Sequence, residues 1–219
     1  MSNSNYQKVT AATLLVALGI IYGDIGTSPL YVMKAIIGNR EISKMLVYGG
    51  ISCVFWTLTF QTTFKYIILT LRADNHGEGG VFSLYALIKR FGKGKLVIPT
   101  ILGATTLLAD GIITPPISVA SAVEGLEAII PNLPTIPIVI AILSGLFLFQ
   151  RFGTQKVGFF FGPAMVVWFS MLFILGISQI VIHPEILEAL NPMYAYRLLV
   201  EYPHGFWLLG AVFLCTTGA

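Results

Sequence analysis

Apolar residues along this chain come in long blocks rather than in alternation or at every third or fourth position. About 20 apolar residues are needed to cross the hydrocarbon of a bilayer as a helix. Five blocks approach or exceed that length: residues 9–36, 45–71, 96–123, a shorter 136–150, and 157–182. A sixth begins near Gly205 and has run for only about 15 residues when the sequence stops at Ala219. The chain therefore reads as the N-terminal part of a longer all-α integral membrane protein. Two intervening segments differ in character. Val81–Phe91 (VFSLYALIKRF) predicts a short amphipathic helix on the cytoplasmic face, whereas His183–Glu201 is more polar, contains Pro184 and Pro192, and is expected along the outer surface. The start does not resemble a signal peptide. Lys8 alone precedes the first block, no A-x-A site follows, and Asp24 interrupts it.

Composition strengthens this picture. Of 219 residues, 56% are hydrophobic and 11% charged, against about 25% charged in soluble domains, and the mean hydropathy is +0.83. Such a chain cannot wet a full surface, which excludes a cytosolic enzyme, a nucleic-acid binder and a disordered segment. Cys53 and Cys215 both lie in apolar blocks without CxxC spacing, so neither a disulfide framework nor a zinc site is expected. Basic residues set the orientation. Lys8, Arg72, Lys89, Arg90, Lys93, Lys95, Arg151 and Lys156 fall on one side, eight in all, against four on the other, Lys34, Arg40, Lys44 and Arg197. By the positive-inside rule the N-terminus is cytoplasmic. Most acidic residues fall in the outer loops, an arrangement that would concentrate cations there.

Asp24 and Asp110 are the two acidic residues inside predicted spans. An aspartate at a helix centre costs about 2.5–3.5 kcal/mol to insert, and such residues usually face a cavity, a partner or an ion path. Asp24 lies in GDIGTSPLY (Gly23–Tyr31). There Pro29 lacks an N–H and Gly26 tolerates unusual dihedrals, so the first helix should break. Unwound backbone at that depth is tolerated where it lines a cavity. Its carbonyls, with Thr27, Ser28 and the Asp24 carboxylate, are hard oxygen donors suited to an alkali cation, and broken midplane helices are where secondary transporters hold substrate and coupling ions. Tyr31, seven residues after Asp24, returns to a similar face as a candidate gate. Gly23 and Gly26 are no dinucleotide loop, since no βαβ unit surrounds them.

In the third span Asp110, Thr114 and Ser118 recur every four residues and form one polar stripe. Pro115 and Pro116 cannot bond back to the carbonyls of Gly111 and Ile112. Back-bonding of Thr114 and Ser118 to their own helix is the competing role. The loop Arg72–Gly80 (RADNHGEGG) reads as a gating loop, with Arg72, Asp74 and Glu78 as its charged members, or as a solvated connection. His76 and Glu78 make a weak metal site, lacking a second ligand pair.

Three motifs, GDIGTSPLYV (Gly23–Val32), RADNHGEGG (Arg72–Gly80) and DGIITPPISVASAVEGLE (Asp110–Glu127), together with NPMYA (Asn191–Ala195) and the terminal TTGA, resemble the KUP/HAK/KT potassium uptake transporters. The resemblance covers essentially the whole chain. It implies a LeuT-type (APC-like) bundle of inverted five-helix repeats, of which this chain is the first repeat plus the start of span six, with the second repeat and a cytoplasmic C-terminal domain lying beyond it. It also implies proton-coupled potassium uptake, with ion-site positions at Asp24 and Tyr31, at Asp110, Thr114 and Ser118, and at Thr217 beside Thr216. Ala109-Asp110 departs from the Tyr-Gly-Glu of many bacterial relatives, and Pro116 stands where alanine is usual.

The function expected is secondary active potassium uptake across the plasma membrane as K+/H+ symport. Potassium is the substrate, the proton is the coupling ion, and no cofactor is required. Asp110 is the first choice for the proton and Asp24 for the ion, with the reverse arrangement close behind. Expected partners are the lipid bilayer and a second copy in a homodimer, and no nucleic acid. The alternatives are an organic-solute transporter of the same fold and a potassium channel or uniporter. An anionic Asp24 would repel an amino-acid carboxylate, and the TVGYG filter loop of potassium channels is absent. An enzyme is not expected, since no nucleophile–base pair is present.

Overall fold

The first predicted span is two helices, not one. In the computed structural model, which describes residues 10–70, 79–89, 96–127, 129–151 and 154–216 without the side chains of residues 20, 21, 24 and 154–160, α1 (Ala11–Ile25) stops two residues before α2 (Ser28–Ile37) begins. Pro29 sits in the first turn of α2, where a missing N–H does no harm. The second span starts as α3 (Lys44–Leu58), capped by the Ser43 side chain, which accepts from the Leu46 N–H at 3.2 Å. It continues as a π-helix over Thr59–Leu69. The wider turn persists at its end, where the Thr70 hydroxyl donates to the carbonyl of Lys65, five residues back, at 2.9 Å.

The short amphipathic helix is α4 (Val81–Lys89), and the third span is α5 (Val97–Leu126), which runs uninterrupted through Pro115 and Pro116. α6 (Thr135–Gln150) and α7 (Thr154–Ile182) form the fourth and fifth spans. A 3-10 turn (Pro184–Leu190) leads to α8 (Pro192–Val200), capped by Asn191, whose side chain accepts from the Met193 N–H at 2.9 Å. The last stretch is a 3-10 turn (Gly205–Trp207), α9 (Leu208–Phe213) and a final 3-10 turn (Leu214–Thr216). Among the described residues every regular element is a helix.

Two packing groups result. α1 lies along α7 with Gly19 facing Gly162: a Cβ on Gly19 would stand 2.5 Å from the Gly162 nitrogen, so only glycine permits this backbone approach. The second group joins α2, α3, α8 and α9 around Val32, Ile36, Leu46, Leu198, Val212 and Cys215, all fully buried. α8 packs against α3. Leu198 is buried against α3, the Ser52 hydroxyl donates to the Asn191 carbonyl at 3.0 Å, and the Trp56 indole donates to the Leu190 carbonyl at 2.9 Å. α8 then meets residues 205–216 at a bend of 116°.

Among the described residues, two single helices, Val97–Leu126 and Phe161–Ile182, are long and apolar enough to cross a bilayer, or three if the bent pair is one span. The first and second predicted spans miss that criterion because each is divided, and Thr135–Gln150 is 16 residues long. The two long helices, α5 and α7, present apolar outward faces: Ile112 is 73% exposed and Val181 75%. Bare apolar surface on this scale marks contact with lipid or with further protein. The chain is an integral membrane helical protein.

Candidate functional site

Chemistry at the break follows from which backbone groups lose their partners. Pro29 cannot donate to the Ile25 carbonyl, which a continuous helix would require. The turn is instead held by the Gly26 N–H donating to the Tyr22 carbonyl at 2.9 Å and the Leu30 N–H donating to that of Thr27 at 3.2 Å. Two carbonyls near the break are already engaged by side chains. The Thr27 hydroxyl donates to the Gly23 carbonyl at 3.1 Å, and the Trp168 indole N–H, from α7, donates to the Gly26 carbonyl at 3.2 Å. The Phe169 ring completes this contact, since a Cβ on Gly26 would lie 2.5 Å from its tip. The expectation that the break simply frees its carbonyls is thus corrected at these two positions.

Beyond the break, Ser28 is fully buried and Tyr31 is 8% exposed. The Tyr31 hydroxyl lies 2.9 Å from Ser28 Oγ and 3.4 Å from the Leu214 carbonyl, and donates toward both. Span one is thereby tied to the final turn of span six. Asp24 belongs by its backbone to the last turn of α1, and its side chain lies outside the described residues.

On α5, Asp110, Thr114, Ile117, Ser118 and Ser121 are all part-buried, while Leu107, Leu108, Ile112 and Ile113 are exposed. The polar stripe therefore lies on the protein-facing side, and Ile117 packs against the cluster that contains Tyr31. The Thr114 hydroxyl donates to Asp110 Oδ1 at 2.8 Å, not to its own backbone. Ser118 Oγ is buried and has no hydrogen-bond partner among the described residues. The proline pair does not split the helix here, so α5 contributes side chains rather than a second break.

In span six Thr217 lies outside the described residues, and Thr216 turns its hydroxyl back to the Phe213 carbonyl at 2.7 Å. Arg72, Asp74 and Glu78 also fall outside them. Among the described residues no group of three or more His, Cys, Asp or Glu could hold a metal ion. The described oxygens of this candidate site come from serine, threonine, tyrosine, backbone carbonyls and the Asp110 carboxylate. Sequence reasoning missed Trp168 and the Leu214 carbonyl. Neither had a local signal, for Trp168 is one aromatic among many in an apolar helix.

Fold and site together define an integral membrane helical protein with a broken first span that presents buried hydroxyl and carbonyl oxygens. The comparisons place it further. Residues 11–219 match the family described as K+ potassium transporter integral membrane domain, and the chain belongs to that family. It is 63% identical, over 99% of its length, to the "Probable potassium transport system protein Kup" of Cytophaga hutchinsonii, and 62% identical over 98% to that of Flavobacterium psychrophilum. It is 47% identical over all of its length to the protein of the same name from Streptococcus equi subsp. equi. These alignments take in 34%, 33% and 35% of the respective relatives, so the chain spans about a third of their length. No solved structure matches it.

Proposed function

We propose that this chain forms the ion-site part of a potassium uptake transporter, with potassium entering together with a proton. The observation that carries the reading is the divided first span, in a chain whose residues 11–219 match a potassium transporter family. Oxygen donors converge at the break from Ser28 and Tyr31, and α5 offers Asp110, Thr114 and Ser118 on its protein-facing side. Asp24 and Thr217 complete the assigned ion positions, and Arg72, Asp74 and Glu78 the gating loop. Hard oxygens of this kind replace the hydration shell of an alkali cation. No resident cofactor is called for, since potassium is cargo.

Coupling to a proton has a physical basis. Uptake driven by the potential alone gains about 2.3 kcal/mol per charge per 100 mV, and a co-moving proton adds its own gradient. Desolvation favours a neutral carboxyl while a nearby cation favours its anion, so proton and potassium occupancy act on each other at one place. The architecture assigned is the LeuT-type repeat in the plasma membrane, N-terminus inside, with a homodimer covering part of the apolar surface. The test is uptake of potassium, rubidium and amino acids by the reconstituted full-length protein, with internal pH recorded at clamped potential. Acidification on adding potassium is expected. Potassium entry without proton movement would favour a uniporter or channel, and amino-acid uptake would favour the organic-solute reading.

A further inference from the structure

We propose that Trp168 is a positioning residue that sets ion selectivity by holding the Gly26 carbonyl turned toward α7. This inference rests on the potassium-uptake reading above and goes beyond the oxygen donors assigned there. The Gly26 carbonyl lies in the two-residue gap between α1 and α2, between the positions of Asp24 and Ser28, where a backbone oxygen is most available to a cation. It is not left free. The indole N–H of Trp168 donates to it at 3.2 Å, across 142 residues of sequence.

Two further contacts keep that bond from being incidental. The Phe169 ring occupies the space where any Cβ on residue 26 would go, so the peptide is gripped from two adjacent side chains of one helix. α7 is itself fixed in register against α1 by the backbone approach of Gly19 and Gly162, so the indole is presented at a set height. A peptide plane in an unwound turn could otherwise rotate. With its oxygen engaged by the indole, the Gly26–Thr27 peptide has one orientation, its carbonyl turned toward α7 and one of its two lone pairs taken. The number and field of coordinating oxygens determine which alkali cation is preferred. A residue that fixes the direction and weakens the field of one carbonyl therefore determines specificity without touching the ion.

The experiment compares the full-length protein with Trp168→Phe and with a form carrying 3-benzothienylalanine at position 168, which keeps the bicyclic shape and lacks only the N–H. Uptake of potassium, rubidium and sodium is measured in proteoliposomes containing equal amounts of protein. Both variants are expected to raise the apparent KM for potassium roughly three- to tenfold, the effect of one hydrogen bond. Sodium should compete more strongly, and the maximal rate should change less than twofold. The indole N–H band in ultraviolet resonance Raman difference spectra should report a bonded Trp168 in the wild type. Wild-type selectivity in the benzothienyl form would overturn the proposal even if Trp168→Phe is altered, because packing alone would then explain that variant. An unbonded indole would also overturn it. If the wild-type protein moves no potassium, the function reading fails and this inference fails with it.

Discussion

Lys34 Nζ and Glu124 Oε2 meet at 2.7 Å and join the far end of α2 to the far end of α5. Tyr31 lies three residues before Lys34 and Ile117 seven before Glu124, so on each helix the ion pair sits on the face that packs toward the site. Both side chains are well exposed, at 64% and 41%. The pair should therefore contribute only about 0–1 kcal/mol to stability. Lys34→Glu is expected to lower the melting temperature in detergent by a few degrees at most, and Lys34→Glu with Glu124→Lys to recover it. Disulfide trapping of a Lys34→Cys, Glu124→Cys pair tests whether α2 and α5 must separate during uptake. Transport lost on oxidation and regained on reduction is the expected outcome.

Tyr31→Phe removes the hydroxyl shared between Ser28 and the Leu214 carbonyl. Ser28 is fully buried, so this variant should lose about 1–3 kcal/mol, the cost of leaving a buried polar group with fewer partners. Rubidium uptake should fall more than membrane expression does. Equal uptake by Tyr31→Phe and wild type would remove Tyr31 from the site.

Asp24→Asn and Asp110→Asn should each abolish uptake with expression intact, since the amide keeps the shape and loses the charge. Thr114 offers a finer comparison. Thr114→Val loses the 2.8 Å bond to Asp110 and should impair uptake, whereas Thr114→Ser keeps a donor and should retain most of it. Uptake by Thr114→Val equal to wild type would assign the hydroxyl to packing.

Much of this arrangement is legible in the amino-acid sequence. Long apolar blocks translate directly into helices, and the predicted edges 45, 96, 136 and 157 compare with observed starts at Lys44, Val97, Thr135 and Thr154. The break was readable because Pro29 and Gly26 act locally through a missing N–H and a missing Cβ. At Pro115 and Pro116 the same local reasoning predicts only two lost backbone bonds within a continuous helix, and α5 runs through both. Partners of the freed groups were not legible. Trp168 reaches Gly26 through tertiary packing of α1 on α7, and no periodicity encodes which of several aromatics will do so. The π-helix over 59–69 was equally invisible, since nothing in TFQTTFKYIIL signals a wider turn.

Gly162→Leu should be far more damaging than its apolar character suggests. Even a Cβ at this position would stand 2.5 Å from the Leu15 carbonyl oxygen, a backbone atom that cannot swing aside. Overpacking of this kind costs about 1–3 kcal/mol or more. A melting temperature within a degree or two of wild type would show that α1 and α7 can move apart freely.

The cluster around Glu188 gives a pH dependence. The Tyr194 hydroxyl donates to Glu188 at 2.8 Å, and this bond, then desolvation and the Glu188 charge, raise its pKa above the ordinary 10.0. For Lys44, desolvation lowers the value, but the charges of Glu188, Tyr48, Tyr194 and Glu185 together outweigh it and leave it above 10.5. Both groups are protonated more readily in the folded state. Their contribution is complete below the unfolded values and is lost as pH rises through the folded ones. Docking of α8 on α3 should thus be unaffected near neutrality and weaken above about pH 10. Tyrosinate absorbance against pH checks this, and Tyr194→Phe should remove a component that titrates above the ordinary tyrosine value.

The gap at Gly26 and Thr27 also divides ownership of a single membrane crossing. α1 is locked to α7 through facing glycines, while α2 is packed with α3 and α9 around Val32 and Ile36. One crossing therefore belongs to two packing groups, joined within it by the peptides between Ile25 and Ser28. Rotation of one group against the other is absorbed there and in the turn that carries α7 into α8. Displacement in either group thereby reaches the oxygens that stand around the joint between Ile25 and Ser28.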